Sequence, residues 1–143
     1  MVQLSDAIYE TLSGLAEQGN IAIDHGEFNE AILLWQEALQ LLPEPVAQWQ
    51  AAFWLYASIA EGYYQLDDFD EAIAALTQAL ACVEAEENPY PYYMLGKCYW
   101  RINHERAAEH LLKAYDLGGE GIFTADTVDG GSCLQHLYDR GLI

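Results

Sequence analysis

Basic residues are almost missing from this chain: five Lys plus Arg in 143 residues, against 23 Asp plus Glu, for a formal net charge of −18. Nucleic-acid binders gain affinity by neutralising phosphates with Lys and Arg, so the shortage argues against direct DNA or RNA binding. It argues equally against docking to an anionic membrane. Cysteine is also scarce. Cys82, Cys98 and Cys133 are odd in number, far apart and form no C-x-x-C pair, which speaks against a disulfide framework or a zinc site. Two of them sit inside apolar helical patterns and read as buried thiols. No apolar run approaches the roughly 18 residues of a membrane span, and Met1 to Leu15 carries acids but no basic leader region. The expectation is a cytoplasmic protein.

What is present is a globular composition. With 52% hydrophobic and 13% aromatic residues, the chain is too rich for disorder despite its charge. Its length suits one domain, which at this size buries roughly 70% of the surface its unfolded chain exposes. The charge is unevenly placed. Lys97, Arg101, Arg106, Lys113 and Arg140 are the five bases, so residues 1–96 hold 16 acids and no base, whereas residues 97–143 hold five bases and seven acids, a net −2. Solubility or salt adaptation would account for the total but gives no reason for the polarity. A field of this kind attracts and orients a basic partner.

Three segments share a pattern. The first runs Gly19-x-x-Ala22, Gly26-Glu27-Phe28-Asn29-Glu30-Ala31-Ile32, then Trp35, Ala38 and Pro43. The second runs Tyr63, Asp67-Asp68-Phe69-Asp70-Glu71-Ala72-Ile73, then Leu76, Ala79 and Leu80. The third runs Leu95-Gly96-x-x-Tyr99, Glu105-Arg106-Ala107-Ala108, then Leu111, Ala114 and Tyr115. Each reads as a helix, a tight polar turn and a second helix. Small residues such as Gly19 and Ala31 let two helix backbones approach, Phe28 and Trp35 fill the space beside them, and the pairs Ala31/Ala38 and Ala72/Ala79 each line one helical face. His25-Gly26-Glu27 places a glycine at a helix end, and Asn29-Glu30 and Asp70-Glu71 put acids at the next helix's start.

These motifs resemble the tetratricopeptide repeat (TPR) family, over about residues 9–117, with GEFNEAILLWQEALQLLP and DDFDEAIAALTQAL carrying the likeness. The resemblance implies an all-α fold: three stacked helix-turn-helix repeats in a right-handed solenoid, about 5–43, 45–85 and 89–117, forming a single domain over 1–143 with a capping tail at 118–143. Helices are expected near 5–24, 28–42, 45–65, 69–85, 90–102 and 105–117. Ser5 is expected to cap the first, and Ser132 a short last helix through Asp139. The third turn is about one residue short and lacks the aromatic supplied elsewhere by Phe28 and Phe69. Residues 118–131 read as a glycine-rich connection, with Ile122, Phe123, Leu134, Leu137 and Tyr138 folding back over the last repeat.

Catalysis finds little support. His25, His104, His110 and His136 stand apart with no second histidine at i+3 or i+4, so surface or structural roles are expected and no metal site. No phosphate loop, nucleophile elbow or H-E-x-x-H occurs. Asp67-Asp68-x-Asp70-Glu71 lacks the central glycine of a calcium loop and reads as helix capping. The expectation is no enzyme and no cofactor.

In the family it resembles, the first helix of each repeat lines a concave groove. By register this implies Ser13, Ala16, Glu17, Asn20, Ile23 and Asp24 from the first repeat. The second supplies Trp54, Ala57, Ser58, Glu61, Tyr64 and Gln65. The third supplies Tyr90, Tyr93, Met94, Lys97, Trp100 and Arg101. Glu17, Asn20, Asp24, Trp54, Glu61, Tyr64, Tyr90, Tyr93, Lys97, Trp100 and Arg101 are the candidate protein-binding residues, since aromatics and arginine favour binding hot spots. For Trp54, Tyr64 and Trp100, packing in the core or under the tail is an equal alternative; Tyr63 and Tyr99 read as core. The Lys, Asn, Asn, Lys, Arg clamp by which chaperone-binding members hold a carboxylate is matched only at Asn20, with Ala16, Ser58, Tyr90 and Met94 at its other positions. The stretch from Lys113 to Phe123, an acidic spacer and a short Leu-x-x-Leu-Tyr helix is similar to the tail of small acidic TPR immunity proteins that act beside bacterial polymorphic toxins. That likeness implies a partner that is a basic toxin or effector domain. A peptide-binding scaffold or secretion chaperone, and a self-associating repeat protein, are the other readings.

Overall fold

A computed structural model describes residues 3–143, and among them every regular element is helical. The chain forms two compact units, Met1–Val83 and Glu84–Ile143. Unit 1 contains α1 (Asp6–Asp24), α2 (Phe28–Gln40), α3 (Gln50–Gln65) and α4 (Phe69–Leu80), with a 3-10 turn at Val46–Gln48 before α3. Unit 2 contains α5 (Pro89–Arg101), α6 (Ala107–Gly118), α7 (Gly121–Thr124) and α8 (Gly130–Asp139).

The helix starts follow local chemistry. Ser5 Oγ accepts the Ile8 N–H at 3.2 Å, Asp68 Oδ1 accepts the Glu71 N–H at 3.3 Å, and Asn88 Oδ1 accepts the Tyr90 N–H at 3.0 Å beside Pro89 at the first helical position. These bonds satisfy donors that a helix leaves orphaned. The helix ends share one device. Gly26, Asp67 and Asn103 all adopt positive φ, at 75°, 58° and 56°. At each, the following N–H reaches back to the last turn: Glu27 to Ala22 O, Asp68 to Tyr63 O and His104 to Tyr99 O, at 2.9, 2.9 and 2.8 Å. This is the double back-bond of a left-handed helix stop. Only the first repeat spends a glycine on it.

Packing in unit 1 turns on Trp35 of α2, which is 2% exposed. It lies against Gly19 of α1 and Gly62 of α3, where any Cβ would collide with it or with Ile32, and its Nε1 donates to Ala16 O at 3.3 Å. Ala31, Ala38, Ala72 and Ala79 are fully buried, so the alanine faces read from the sequence are the packed ones. In unit 2, Gly96 opposes Leu111, to which an added Cβ would approach within 2.6 Å. From Gly19 to Trp35 is 16 positions and from Gly96 to Leu111 is 15. The missing residue falls after the Asn103 helix stop; the turn, expected to be short, in fact runs from Ile102 to Arg106, and it is the first turn of α6 that is lost, the helix beginning only at Ala107.

Several expected boundaries shift. The helix expected from residue 45 starts at Gln50, because Pro45 and the 3-10 turn intervene; Trp49 Nε1 donates to Pro43 O at 2.8 Å, and the Val83 N–H to Ala47 O at 3.0 Å, holding that turn in place. The helix expected to run to residue 85 stops at Leu80. Ser132 does not cap the last helix, which starts three residues earlier than that cap would set, at Gly130 with Asp129 in the cap position. The connection at 118–131 contains α7. Phe123 and Leu137 are fully buried and Ile122 and Leu134 pack beside them, as expected, but Tyr138 is 52% exposed. Each fully buried side chain of this size contributes about 1.5–3 kcal/mol. All three cysteines are buried, and burial, with the charge of Asp129 adding to it, pushes the Cys133 thiol up to about 12.

Candidate functional site

The residues expected to line the first-helix face divide by unit. In unit 1, α1 presents Glu17, Asn20 and Asp24 to solvent, four or three positions apart along one side of the helix. On α3, Trp54, Ser58, Glu61 and Gln65 recur at the same spacing. Trp54 is 60% exposed with its ring edge-on to Phe53 at 5.0 Å, and Gln65 Nε2 donates to Glu61 Oε1 at 3.0 Å. Tyr64 takes the core alternative rather than the groove position. It is buried, its ring T-shaped against Phe69 at 5.3 Å, because its position turns toward α4. Ala57 is buried as well. What unit 1 leaves open is therefore an acidic surface carrying two large aromatics, Trp54 on α3 and Tyr9 on α1.

In unit 2 the corresponding face of α5 meets the chain's own tail. Tyr93 and Lys97 are 3% and 8% exposed. The Tyr93 ring stands T-shaped to Phe123 at 5.0 Å, its hydroxyl donates to Asp126 Oδ2 at 2.8 Å, and Lys97 Nζ donates to the same oxygen at 2.8 Å while lying 5.4 Å from the Tyr93 ring centre. The other oxygen, Asp126 Oδ1, accepts the Val128 and Asp129 N–H groups, both at 3.1 Å. Arg101 pairs with Asp129 at 3.6 Å, and Trp100 packs half-buried against the cluster of Tyr93, Leu111, Phe123 and Leu137. Burial alone would raise the Asp126 pKa; the bonds from Lys97, the Asp129 amide and Tyr93 outweigh it and hold the carboxyl at about 2. Burial, followed by the bond to Asp126, pushes the Tyr93 phenol far above its ordinary value. Tyr93, Lys97 and Arg101 are thus engaged by Phe123, Asp126 and Asp129, and Met94 is buried. Tyr90, at the start of α5, is half-buried.

Asp126 and Asp129 were not singled out by sequence reasoning. The signal lay in the charges: five bases confined to residues 97–143 called for carboxylates of that region to answer the buried one. Tyr63 and Tyr99, expected in the core, are half-buried: Tyr63 accepts from Gln36 Nε2 at 3.4 Å, and Tyr99 stacks near His104 and His110 under Arg106. Among the described residues no group of three His, Cys, Asp or Glu could hold a metal ion, and no helix is long and apolar enough to cross a membrane.

Three solved structures superpose on nearly the whole chain. The first TPR of Spaghetti (RPAP3) bound to the HSP90 peptide SRMEEVD matches with a TM-score of 0.69 and 17% identity, over 92% of this chain and 95% of that one. The fold is that of a TPR domain. The Arabidopsis OM64 TPR domain matches at 0.71 and 19% identity, over 93% and 98% of the two chains. The C-terminal TPR-containing domain of a Plasmodium falciparum FK506-binding protein matches at 0.71 and 21%, over 96% of each. No family model matches the sequence, and no curated protein matches it. At these identities the likeness is one of TPR architecture alone.

Proposed function

We propose that this TPR chain is a non-enzymatic, cytoplasmic protein-interaction module whose partner is a basic protein domain, in the first instance a toxin domain that it neutralises by occlusion. The observation that carries the reading is the charge of unit 1. Residues 1–83 hold 13 Asp and Glu and no Lys or Arg, and every one of those carboxylates except the half-buried Glu61 is exposed. Trp54 stands on the same unit as an anchor of the type binding hot spots favour. Such a surface repels an anionic partner and steers a cationic one. The similarity of the tail to TPR immunity proteins supports the toxin as that partner, since a nuclease site that attracts phosphate also attracts carboxylates.

A second reading is a scaffold or secretion chaperone that holds a peptide. It draws on the RPAP3 neighbour, whose bound peptide carries two glutamates and an aspartate. The acidic face of unit 1 is unsuited to that peptide, so a peptide held there would be basic.

The test is titration calorimetry of the whole chain against the domain encoded by the neighbouring gene, at low and high salt. Glu17→Gln, Asp24→Gln and Glu61→Gln combined are expected to weaken binding about tenfold or more at low salt, about 1.4 kcal/mol, and to flatten its salt dependence. Unchanged affinity and slope would remove the electrostatic reading. An extended segment selected from a peptide array would favour the scaffold.

A further inference from the structure

Unit 1 has a second feature on the side of α2 and α4, away from the first-helix face. A cleft of about 210 Å³ lies between α2, α3 and α4. Its apolar lining is Leu39, Ile59, Ala74 and Ala75, of which Ile59 and Ala75 are buried. Around these stand Gln36, Gln78, Tyr56 and Tyr63, with the carboxylate of Glu71 as the one charged group lining the cleft. The lining residues recur at helical spacing: 56, 59 and 63 on α3, and 71, 74, 75 and 78 on α4. The cleft is therefore built on rigid elements rather than on loops. Glu71 is exposed, and its carboxylate makes no hydrogen bond or ion pair among the described residues; its bond to Asp68 runs through the backbone N–H. With no Lys or Arg in residues 1–96, unit 1 holds no Lys or Arg to answer it.

We infer that this cleft receives one arginine side chain of the protein partner, its stem along Leu39, Ile59 and Ala75 and its guanidinium against Glu71. The inference rests on the reading of a basic protein partner. Three features of the cleft select the occupant. The volume suits one long side chain, being below the several hundred Å³ that drug-sized ligands occupy. The apolar floor matches a methylene stem, as long basic side chains bury their carbons and keep the charge at a polar rim. The polar residues lining the cleft carry a carboxylate on Glu71, carboxamides on Gln36 and Gln78, and phenols on Tyr56 and Tyr63, the last of which already accepts from Gln36 Nε2. A planar fork of five N–H donors uses such a set, and stacks on a tyrosine face, better than a compact ammonium does.

The test is an NMR titration of the isotope-labelled full chain with Nα-acetyl-arginine methylamide, with the isosteric but neutral citrulline compound and the lysine compound as controls. The arginine probe is expected to saturate in the millimolar range and to shift amides of α2, α3 and α4 around the cleft, about fivefold more tightly than either control. Glu71→Gln should bring the arginine probe down to the citrulline level. Ala74→Phe, which fills the cleft without altering charge, should abolish the shifts, with unchanged thermal melting showing that both variants fold. Shifts spread evenly over the exposed carboxylates of α1 and α2, or indifferent to both substitutions, would overturn the assignment, and equal binding of the lysine probe would overturn the choice of arginine. The complex with the basic domain separates the two levels. A salt-dependent complex unmoved by Glu71→Gln and Ala74→Phe would sink the cleft and leave the proposed function standing. Specific probe binding with no complex would do the reverse.

Discussion

Three residues end the first helix of each repeat in a left-handed turn, and only one is the residue best suited to it. An L-residue in that conformation costs about 1–2 kcal/mol relative to the right-handed one, less for Asn and Asp, whereas glycine has no such penalty. Gly26→Ala is therefore expected to lower the unfolding free energy by about 1 kcal/mol, and Asp67→Gly to raise it by about 0.5 kcal/mol once glycine's greater unfolded-state freedom is deducted. Urea midpoints of the two variants at constant slope would check both. Gly96 is a packing residue of another kind. An added Cβ comes within 3.0 Å of the Leu111 backbone nitrogen as well as 2.6 Å of its side chain, and backbone cannot swing aside. Gly96→Ala should cost about 1–3 kcal/mol in the same measurement. The glycine at 26 was legible in the sequence because its residue type announces the turn. Asp67 and Asn103 were not, since either fits an ordinary polar loop as well.

At the scale of elements, the α5–tail junction is held by two carboxylates, Asp126 on Lys97 and Asp129 on Arg101, of which Asp126 is the more heavily bonded. Asp126 gathers Lys97, Tyr93 and two backbone amides, and Lys97 has little water to turn to. Asp126→Asn removes the charge from the carboxylate that Lys97 and Tyr93 both donate to, at an expected cost of about 3 kcal/mol. The pH dependence has a definite sign. The carboxyl titrates at about 2 when folded against 3.8 ordinarily, so its stabilisation is complete above the ordinary value and is lost as the pH falls from there toward 2, amounting to about 2 kcal/mol. Unfolding curves recorded across that acid range should show this loss in the native sequence and not in Asp126→Asn. The helices, the alanine faces and the return of Phe123 and Leu137 onto the last repeat were readable from periodicity, because apolar burial repeats with the helix. The capture of Lys97 and Arg101 by the tail was not. Register places these two on the first-helix face, but only the tertiary path of residues 119–129 brings carboxylates to them. Helical register therefore overstates the open surface in unit 2, and at Tyr64, where groove and core are equal alternatives, the structure takes the core.

For the molecule as a whole, the net charge of −18 acts on folding as well as on partners. Unit 1 repels itself at every exposed position, so added salt should raise the urea midpoint by screening like charges over distances beyond about 10 Å at 0.1 M. A midpoint that fell or stayed level between low and moderate sodium chloride would contradict this. The same screening should weaken association with a basic partner, and opposite salt responses of stability and affinity in one protein would mark both as electrostatic. The three cysteines, all enclosed, bear on how such measurements can be made. Because the native protein offers no surface thiol, a single cysteine placed at exposed Trp54, or at Ala74 on the rim of the cleft, would be the sole site for a maleimide dye. Each face could then report its own encounter by fluorescence, without first stripping the natural cysteines from the core.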